Sequence, residues 1–520
     1  MNCKKCQIFD VFINLCIISF VFGSPPTQIK SSNQNLPINV ETKSDDIQAL
    51  VDDAIDWAHN ICYKMRTPEQ LNRSDKAQFT PFALFPSPIP RKFYEQALAV
   101  QKAMSLLYFR ISRDFDFLKM AYKDVIQSDR SVRMYMELLE EIKKEGIKQP
   151  LSILMQRSDY MITVSTDPQT SEPEYQLRQI EVNGGSIGTA GCIERLATLH
   201  RRVLEKSGYS KRAIDNALPE NRSGTALALT IFKAWEQLKD PKAIIVFMVV
   251  KANRWYFVHR YDEYELERLS GGRAKIVHLT LAECAENLTL DDDFTLRLEG
   301  RRVGIVYINR VMLGVDYSPK FFAAIRMIER SKAIKASSLF FGMSTSKKIQ
   351  QMLAMPGMVE RFFPDPSEAQ MVDDIRNTFA KLWGLENDDE QTRIVIEDAI
   401  AHPERYVLKP NKEGGSENFW GQDIADKLKT FTPSERAAHI LMERLNPMIT
   451  KNYLVFPFKQ AKMTVVNNEL GIYGYILGNT ETGTVLHYEQ PGNMLRTKDM
   501  QKNEGGVSSG DGVLDSPFLY

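Results

Sequence analysis

A net charge of either sign is absent from the sequence, because its 520 residues include 66 lysines and arginines and 66 aspartates and glutamates. Such a chain has no general electrostatic attraction to nucleic acid or to an anionic membrane. We therefore expect neither as a partner, and any ligand must be bound locally. Internal repeats and coiled-coil heptads are also missing, so the length indicates two or more cooperating globular domains.

Cysteine is scarce, with six in the whole chain. Three of them precede residue 24, and the others are scattered through the rest of the sequence as Cys62, Cys192 and Cys284. An odd number of distant thiols excludes a disulfide framework as the basis of the fold. It indicates a domain that evolved in a reducing compartment, even if the protein is now exported.

Long apolar runs are scarce too. The stretch 8–22 is well below the ~20 residues that cross a bilayer, and Asp10 interrupts it. Basic residues precede this stretch, and small or β-branched residues end it, as in a cleaved signal peptide. We expect a signal peptide at 1–23 and a secreted protein, with an anchoring transmembrane helix as the alternative. Residues 24–44 are rich in Pro, Ser, Asn and Gln and predict a flexible leader.

The remaining sequence, from Asp45, has the patterns of a folded α/β protein. Apolar residues recur at three and four positions within 91–127, the period of an amphipathic helix. Continuous apolar runs at 243–250 and 304–309 predict buried strands, and a helical stretch at 321–335 suggests an α/β unit with a parallel sheet. The last third predicts an antiparallel sheet, with strands at 406–409, 439–442, 453–456 and 470–477.

The most distinctive local pattern is a glycine-rich segment at 407–418. A predicted strand ends at Lys409, and Gly414 and Gly415 would let backbone N–H groups approach phosphate oxygens closely. Glu413 stands at the start of this turn, where a carboxylate could hold a magnesium ion. The local pattern alone also fits a surface hairpin with glycine at its turn.

Several segments, taken together in order and spacing, resemble eukaryotic glutathione synthetase over about 45–520. They are the glycine-rich segment and 86–90, 157–161, 179–183, 329–333, 347–351, 440–444, 469–472, 495–498 and 505–507. The resemblance implies an α/β architecture with the ATP-grasp fold, and usually a homodimer. It implies a main body at 45–240, an inserted substrate-binding α/β domain at 241–343, and the ATP-grasp lid and catalytic part at 344–520.

The resemblance also implies a reaction and a nucleotide site. In this family ATP phosphorylates the carboxylate of γ-glutamylcysteine, and the amine of glycine then attacks the acyl phosphate. Lysines and Mg²⁺ must neutralise the triphosphate in such a transfer. The implied metal ligands, an all-oxygen set suited to Mg²⁺, are Glu181, Asn183 and Glu413. The implied ATP-binding residues are Glu181, Lys347, Lys409, Glu413, Gly414, Gly415, Ser416, Asn418, Trp420, Met442, Glu443, Arg444, Leu445, Glu469, Lys498 and Glu504.

The implied catalytic residues are Lys409 and Arg496. The implied substrate-binding residues are Arg157, Gly185, Ser186, Gly188, Trp255, His259, Arg496, Val507 and Ser508. Taken singly, each charged position could be an ordinary one: Glu181 and Glu413 solvated surface carboxylates, Lys347 part of a Lys-Lys helix face, Glu469 a strand-edge charge, and Arg157 a structural ion pair. Trp255 fits a core or hinge aromatic as well as a rebuilt pocket wall.

The donor-peptide part of the site departs from the family pattern. Gly188 replaces a serine, Trp255 an asparagine, Val258 an aspartate and His259 a glutamine, and 309–312 reads Asn-Arg-Val-Met where the family has Arg-Asp-Gly-Tyr. Each lost polar partner would cost about 1–3 kcal/mol of recognition of the usual donor. We therefore expect weak or absent activity on γ-glutamylcysteine.

Two hypotheses follow. The first is a secreted ATP-dependent carboxylate–amine ligase that joins a thiol or γ-glutamyl donor to an amino-acid acceptor. The second is a secreted effector that binds nucleotide or a host ligand or protein without catalysis. Secreted proteins resembling this family are associated with plant-parasitic nematodes, and extracellular fluid contains little ATP. Both hypotheses therefore place the action in a recipient cell's cytosol.

Overall fold

The computed structural model describes residues 44–166, 170–185, 187–308, 318–412 and 417–520. The predicted signal peptide, and the predicted leader except for its last residue, lie outside these ranges. Val40–Tyr520 is one compact unit. No helix of the described residues is long and apolar enough to cross a membrane.

The described helices alternate with strands along the chain. The helices are α1 (Ser44–Asn60), α2 (Arg91–Ile111), α3 (Phe115–Tyr122), α4 (Val125–Ser128), α5 (Arg130–Glu145), α6 (Ala190–Lys206), α7 (Lys211–Ala217), α8 (Ser223–Gln237), α9 (Tyr256–Ser270), α10 (Leu281–Asn287), α11 (Pro319–Arg330), α12 (Leu339–Ser344), α13 (Lys347–Ala354), α14 (Ala369–Arg376), α15 (Glu390–Ala401), α16 (Gln422–Thr430) and α17 (Pro433–Ala437).

The described strands are β1 (Lys64–Arg66), β2 (Ala77–Phe79), β3 (Phe82–Ala83), β4 (Ser87–Ile89), β5 (Leu151–Thr166), β6 (Pro173–Gly184), β7 (Ile244–Met248), β8 (Lys275–Leu279), β9 (Leu288–Leu290), β10 (Leu296–Leu298), β11 (Arg301–Ile308), β12 (Ile334–Ala336), β13 (Leu382–Gly384), β14 (Tyr406–Pro410), β15 (Phe419–Trp420), β16 (His439–Glu443), β17 (Ile449–Val455), β18 (Lys462–Asn479), β19 (Val485–Glu489), β20 (Asn493–Asp499), β21 (Gly512–Asp515) and β22 (Pro517–Leu519).

The predicted helical region 91–127 is three helices, α2 to α4. Ala97, Val100, Ala103 and Leu107 face the core on α2, so the predicted apolar face is confirmed. The break follows from Asp114, whose side chain accepts a hydrogen bond from the backbone N–H of Phe117 and so begins a new helix.

The main sheet has fourteen strands, and its two halves differ in direction. β5, β12, β11, β7 and β8 are neighbours and run parallel, as predicted for the α/β unit. β6, β5, β18, β20 and β21 are neighbours and run antiparallel. Because β5 belongs to both halves, the parallel strands of 241–343 continue the sheet of the main body. The division at residues 241 and 343 stays a prediction.

The predicted helix at 321–335 is wrong at its carboxyl end. α11 ends at Arg330, and Ile334–Ala336 is a strand between β5 and β11. The four strands predicted in the last third are all present, but they belong to two sheets. β17 and β18 join the main sheet, whereas β14 and β16 form a second sheet in the order β13-β16-β14-β15. This second sheet has its own apolar cluster, which includes Leu385, Ile396, Leu408, Ile424 and Leu441.

Candidate functional site

One face of the main sheet presents a row of polar and charged side chains. The register places Asp159 of β5 opposite Glu181 of β6 and Arg157 opposite Asn183. Successive side chains of a strand point to opposite faces, so residues two apart share a face. These four side chains therefore lie together on one face of the sheet.

The row continues across the next two strands. Gly471 of β18 is opposite Asp159, which places Glu469 on the same face. Arg496 of β20 is opposite Glu469, and Lys498 is opposite Asn467. Strands far apart in the sequence therefore assemble one charged floor.

A cavity of about 450 Å³ lies between this floor and the second sheet. Most of the predicted site residues that the structure describes line it: Arg157, Glu181, Asn183, Lys409, Asn418, Trp420, Met442, Glu443, Arg444, Leu445, Glu469, Arg496, Lys498 and Glu504. A second groove of about 470 Å³ lies beside Phe419, Phe431 and His439, and it is not lined by these residues. The cavity between the sheets is therefore the candidate site.

Lys347, the first residue of α13, reaches the same floor from the side. Its Nζ lies 3.6 Å from Glu181 Oε2 and donates to the backbone oxygen of Lys412 at 2.7 Å. The Lys409 ammonium donates to the backbone oxygen of Ile180 at 3.2 Å. Glu181 is mostly buried, so its interpretation as a solvated surface carboxylate is wrong, and the burial of Lys347 is not that of an ordinary exposed helix face.

Burial and neighbouring charge shift the pKa values of these groups in opposite directions. Burial raises the pKa of Glu181, but Lys347 and Lys409 outweigh it and lower the value to about 2. Burial lowers the pKa of Lys409 to about 8, although Glu181 opposes the shift. Burial also lowers the pKa of Lys498. A bound polyanion would favour the charged form of both lysines, which suits the cavity to phosphate groups.

The donor atoms present fit a hard divalent cation such as Mg²⁺. Oxygens of Asp159, Glu181 and Glu469 lie within 4.8 Å of one another, but both oxygens of Asp159 already accept hydrogen bonds from Arg157 or Asn183, so a cation would take its carboxylate oxygen from Glu181 or Glu469. Asn183 adds an amide oxygen beside them, since its Nδ2 already donates to Asp159 and Glu181. Carboxylate and amide oxygens are the ligands that Mg²⁺ and Ca²⁺ take from proteins. The third predicted ligand, Glu413, lies outside the described residues.

The second sheet, on the other side of the cavity, is joined to a loop of the main sheet. Trp420 Nε1 and Asn418 Nδ2 each donate to Glu504 Oε1 at 3.0 Å. The Arg444 guanidinium lies 5.7 Å from the centroid of the Trp420 ring. The two hydrogen bonds to Glu504 join the second sheet to the loop of the main sheet, whereas the Arg444–Trp420 contact lies within the second sheet.

Several predicted residues lie outside this cavity or outside the described ranges. Trp255 Nε1 donates to Ser508 Oγ at 2.5 Å, and Arg254 donates to the Ser508 backbone oxygen at 2.7 Å. The cavity lining does not include Val507, which is buried, or the glycines Gly185 and Gly188. The predicted residues outside the described ranges are Ser186, Glu413, Gly414, Gly415 and Ser416, together with the altered segment 309–312.

His259 is nearly fully buried on α9, at 4% exposure. It lies beside Tyr256, with ring centroids 6.3 Å apart and planes almost perpendicular. Burial, together with a smaller effect of the nearby His278, lowers the pKa of His259 to about 4. The side chain is therefore neutral at physiological pH and unsuited to binding an anion.

Several residues without a predicted role also line the cavity. Asp159 lies within the quoted segment 157–161, and Asn467, Lys502, Ser509 and Asp511 line the wall near the 500–511 loop. A signal was available for the strand positions. Polar residues alternate with apolar ones in 179–183, and three polar residues, Arg157 to Asp159, stand in a row in β5, which is unusual for strands whose residues are largely buried.

The fold and the charged cavity between two sheets define the class, a protein of the ATP-grasp fold. A family model described as "Eukaryotic glutathione synthase, ATP binding domain" matches residues 44–519. The chain belongs to this eukaryotic glutathione synthetase family, which is a family of ATP-dependent ligases.

Sequence similarity to known proteins supports this family assignment over nearly the whole chain. Human glutathione synthetase is 33% identical over 473 residues, which cover 91% of this chain and 97% of the human protein. The Xenopus laevis glutathione synthetase is 32% identical over 477 residues, with the same coverage of 91% and 97%. The apo structure of a glutathione synthetase-like effector from Globodera pallida is 32% identical, with a TM-score of 0.74, over 93% of this chain and 99% of that one.

Proposed function

We propose that the protein is a carboxylate–amine ligase that binds Mg-ATP between its two sheets and activates the carboxylate of a donor. The observation that carries the proposal is the convergence of Glu181, Lys347 and Lys409, whose charged groups meet although 228 residues separate the first from the last (409 − 181). A buried carboxylate beside two buried ammonium groups suits a metal–triphosphate.

Each part of the site has a proposed role. Lys347 and Lys409 pair with phosphate oxygens, while Met442 to Leu445 and Glu469 hold the nucleoside. Glu181 and Asn183 hold Mg²⁺ together with Glu413. When bound, the ion neutralises charge on the phosphate oxygens. Arg496 lies beside Glu469 on the floor and orients the acceptor.

The chemistry requires two displacements. An oxygen of the donor carboxylate attacks the γ-phosphorus, and the bond from that phosphorus to its bridging oxygen breaks to release ADP. The acceptor amine then attacks the acyl carbon, loses a proton, and displaces inorganic phosphate. Lys409 stabilises the negative charge that moves during the first transfer. Closure of the second sheet over the bound substrates would keep water from hydrolysing the acyl phosphate.

We propose that γ-glutamylcysteine is a poor donor for this chain and that the donor is another thiol or γ-glutamyl compound. The hydrogen bonds from Arg254 and Trp255 to Ser508 support an altered pocket, because in the family the matching positions contact substrate. The neutral, buried His259 supports it too, since it replaces a polar glutamine.

The second candidate function is a secreted effector that binds nucleotide or a host ligand without turnover. The Trp255–Ser508 hydrogen bond favours it, because it joins a position that would contact the donor directly to one that would lie near the amino-acid acceptor. The likeness to a Globodera pallida structure whose title calls it an effector gives further support. This proposal includes secretion directed by residues 1–23, action in a recipient cell's cytosol and a homodimer.

The test begins with nucleotide binding by the purified chain from Ser24 onward. Calorimetry should detect ATP binding that depends on Mg²⁺, and Glu181→Ala should abolish that dependence. A buried carboxylate away from the cavity provides the matched control, Asp262→Asn. Absence of Mg²⁺-dependent nucleotide binding in the unmodified chain would contradict the proposal.

Turnover separates the two candidates. Phosphate release is measured with γ-glutamylcysteine and glycine, and then with other thiol and γ-glutamyl donors and amino-acid acceptors. Turnover with any donor that disappears in Glu181→Ala supports the ligase, whereas Mg-ATP binding without turnover supports the effector. Trp255→Asn should improve use of γ-glutamylcysteine at least several-fold if Trp255 blocks the donor, and no change would remove that explanation.

A further inference from the structure

Asp159 is a fully buried carboxylate at the centre of the charged floor. Its Oδ1 accepts a hydrogen bond from Arg157 Nε at 2.6 Å. Its Oδ2 accepts two, from the second Arg157 guanidinium nitrogen at 2.8 Å and from Asn183 Nδ2 at 2.8 Å. One carboxylate therefore contacts both the predicted donor-binding arginine and a predicted cation ligand.

These contacts determine which way the Asn183 amide faces. Its nitrogen donates to Asp159 Oδ2 at 2.8 Å and to Glu181 Oε1 at 3.2 Å. An ionised carboxylate can only accept hydrogen bonds, so the NH₂ group and not the oxygen must face these two residues. The amide oxygen is then the atom left to bind a cation. Without Asp159, only the hydrogen bond to Glu181 would fix the orientation of the Asn183 amide.

The same carboxylate fixes the plane of the Arg157 guanidinium. The bidentate contact with Asp159 uses two nitrogens, and the third donates to the backbone oxygen of Ile187 at 2.7 Å. A guanidinium held at both ends in this way has little rotational freedom. Arg157 also lines the cavity, so its orientation is set before any ligand arrives.

Gly471 provides the space that the pair occupies. A Cβ atom at this position would lie 2.6 Å from Asp159 Oδ1 and 2.7 Å from Arg157 Cδ. Gly471 is not among the glycines with positive φ, so its backbone conformation does not require glycine. The requirement is therefore steric, and it comes from the Asp159–Arg157 pair.

We propose that Asp159, seated over Gly471, is a positioning residue that orients Asn183 toward the cation and Arg157 toward the donor. The inference rests on the proposed function, since it assumes that Mg-ATP binds in this cavity. It assigns to Asp159 a role through its neighbours and no direct contact with substrate. Removing such an outer partner of a metal ligand typically weakens metal binding ~10–100-fold.

Two variants test the inference by independent routes. Asp159→Asn removes the negative charge at nearly constant shape. Gly471→Ala keeps every polar group but forces the Asp159–Arg157 pair to move. In both, the Mg²⁺ concentration for half-maximal binding of a fluorescent ATP analogue should rise ~10-fold or more. Binding of the same analogue in EDTA should stay within about threefold of that of the unmodified protein, because the nucleoside contacts are unchanged.

Matched controls are available on the same strand and in the same fold. A Cβ on Gly474, also in β18, would meet Ser105 Oγ, and Gln101 Nε2 at 2.7 Å, on the opposite face of the sheet. Gly474→Ala therefore disturbs the packing of β18 to a similar degree without touching the floor. Asp262→Asn removes a buried carboxylate outside the cavity lining. Both controls should keep the Mg²⁺ dependence of the unmodified protein.

The outcomes distinguish this inference from the proposed function. If the unmodified protein shows no Mg²⁺-dependent nucleotide binding, the proposed function fails and the inference fails with it. If the unmodified protein shows that dependence and Gly471→Ala keeps it, only the inference fails. An equal shift in Gly474→Ala would also overturn it, because general strain in β18 would then explain the effect. Should Asp159→Asn not fold, Gly471→Ala decides alone.

Discussion

At the scale of single residues, Asp262 shows how far burial can raise the pKa of a carboxyl group when Tyr307 and Arg195 oppose the effect only in part. The side chain lies on α9 at 1% exposure, with the Tyr307 hydroxyl 3.4 Å from Oδ2. Burial raises the pKa of Asp262 from 3.8 to about 8, chiefly because the charged form loses its hydration. Asp159 is equally buried, but contact with Arg157 opposes the effect of burial on its pKa.

The raised pKa of Asp262 predicts a loss of stability with rising pH. The folded state holds this proton more tightly than the unfolded chain, so the contribution is complete below pH ~4, declines above that, and is gone above about pH 8. Between those limits the slope approaches ~1.4 kcal/mol per pH unit. Asp262→Asn carries no such proton, so the variant should be more stable than the unmodified chain at pH 8 and nearly equal at pH 4.5.

Urea unfolding at both pH values measures this difference. A stability gap between the two proteins that stays the same from pH 4.5 to pH 8 would contradict the assignment of the raised pKa to Asp262. His200, whose pKa burial lowers to about 4, contributes in the opposite sense below pH ~6.5, so the comparison of variants matters more than the absolute curve.

At the scale of secondary-structure elements, the amino terminus of α13 places Lys347. Ser346 is the N-cap, and its Oγ accepts from the backbone N–H of Ile349 at 3.4 Å and from the Tyr122 hydroxyl at 2.6 Å. A serine cap ends the preceding turn and fixes where the first helical residue points. The ammonium of Lys347 thereby reaches Glu181 of β6.

Ser346→Ala should cost about 1 kcal/mol of stability, as loss of an N-cap typically does. It should also weaken Mg-ATP binding ~3–10-fold, since about 1 kcal/mol corresponds to a factor of several in affinity. Ser338→Ala is the matched control, because Ser338 caps α12 with the same 3.4 Å contact, to the N–H of Phe341, and lies outside the cavity lining. Thermal unfolding and calorimetric titration of both variants separate the two effects. Equal nucleotide affinity in the two variants would show that the cap does not position Lys347.

Sequence patterns predicted the longer helices and strands. They did not predict the features that depend on contacts between distant segments. β14 and β16 were predictable because short apolar runs there end at turn residues. The three-residue strand Ile334–Ala336 was not, because so short an apolar run fits helix and strand equally. Resemblance to the family identified Lys347, Lys409 and Glu469. The register that brings Asp159 opposite Glu181, and the hydrogen bond between Trp255 and Ser508, join distant segments and have no local signature.

At the scale of the whole molecule, the cavity lies between two hydrophobic cores. The larger core includes Leu107 of α2, and the smaller one, under the second sheet, includes Leu385 beside β13. Lys409 belongs to the second sheet and Glu181 to the main sheet, so a nucleotide bound as proposed would bridge the two. Mg-ATP should therefore slow amide exchange in both sheets, since a ligand stabilises every element whose opening would release it.

Shortening one buried leucine side chain in each core tests whether the second sheet unfolds separately from the main sheet. Leu385→Ala should cost ~2–5 kcal/mol locally, with faster amide exchange confined to 382–443 and weaker Mg-ATP binding. Leu107→Ala, equally buried, should lower the main unfolding transition and leave exchange in 382–443 close to that of the unmodified protein. Exchange measured by mass spectrometry, with and without Mg-ATP, gives both results. If Leu385→Ala accelerates exchange evenly through both sheets, the two cores unfold together and the nucleotide closes no independent lid.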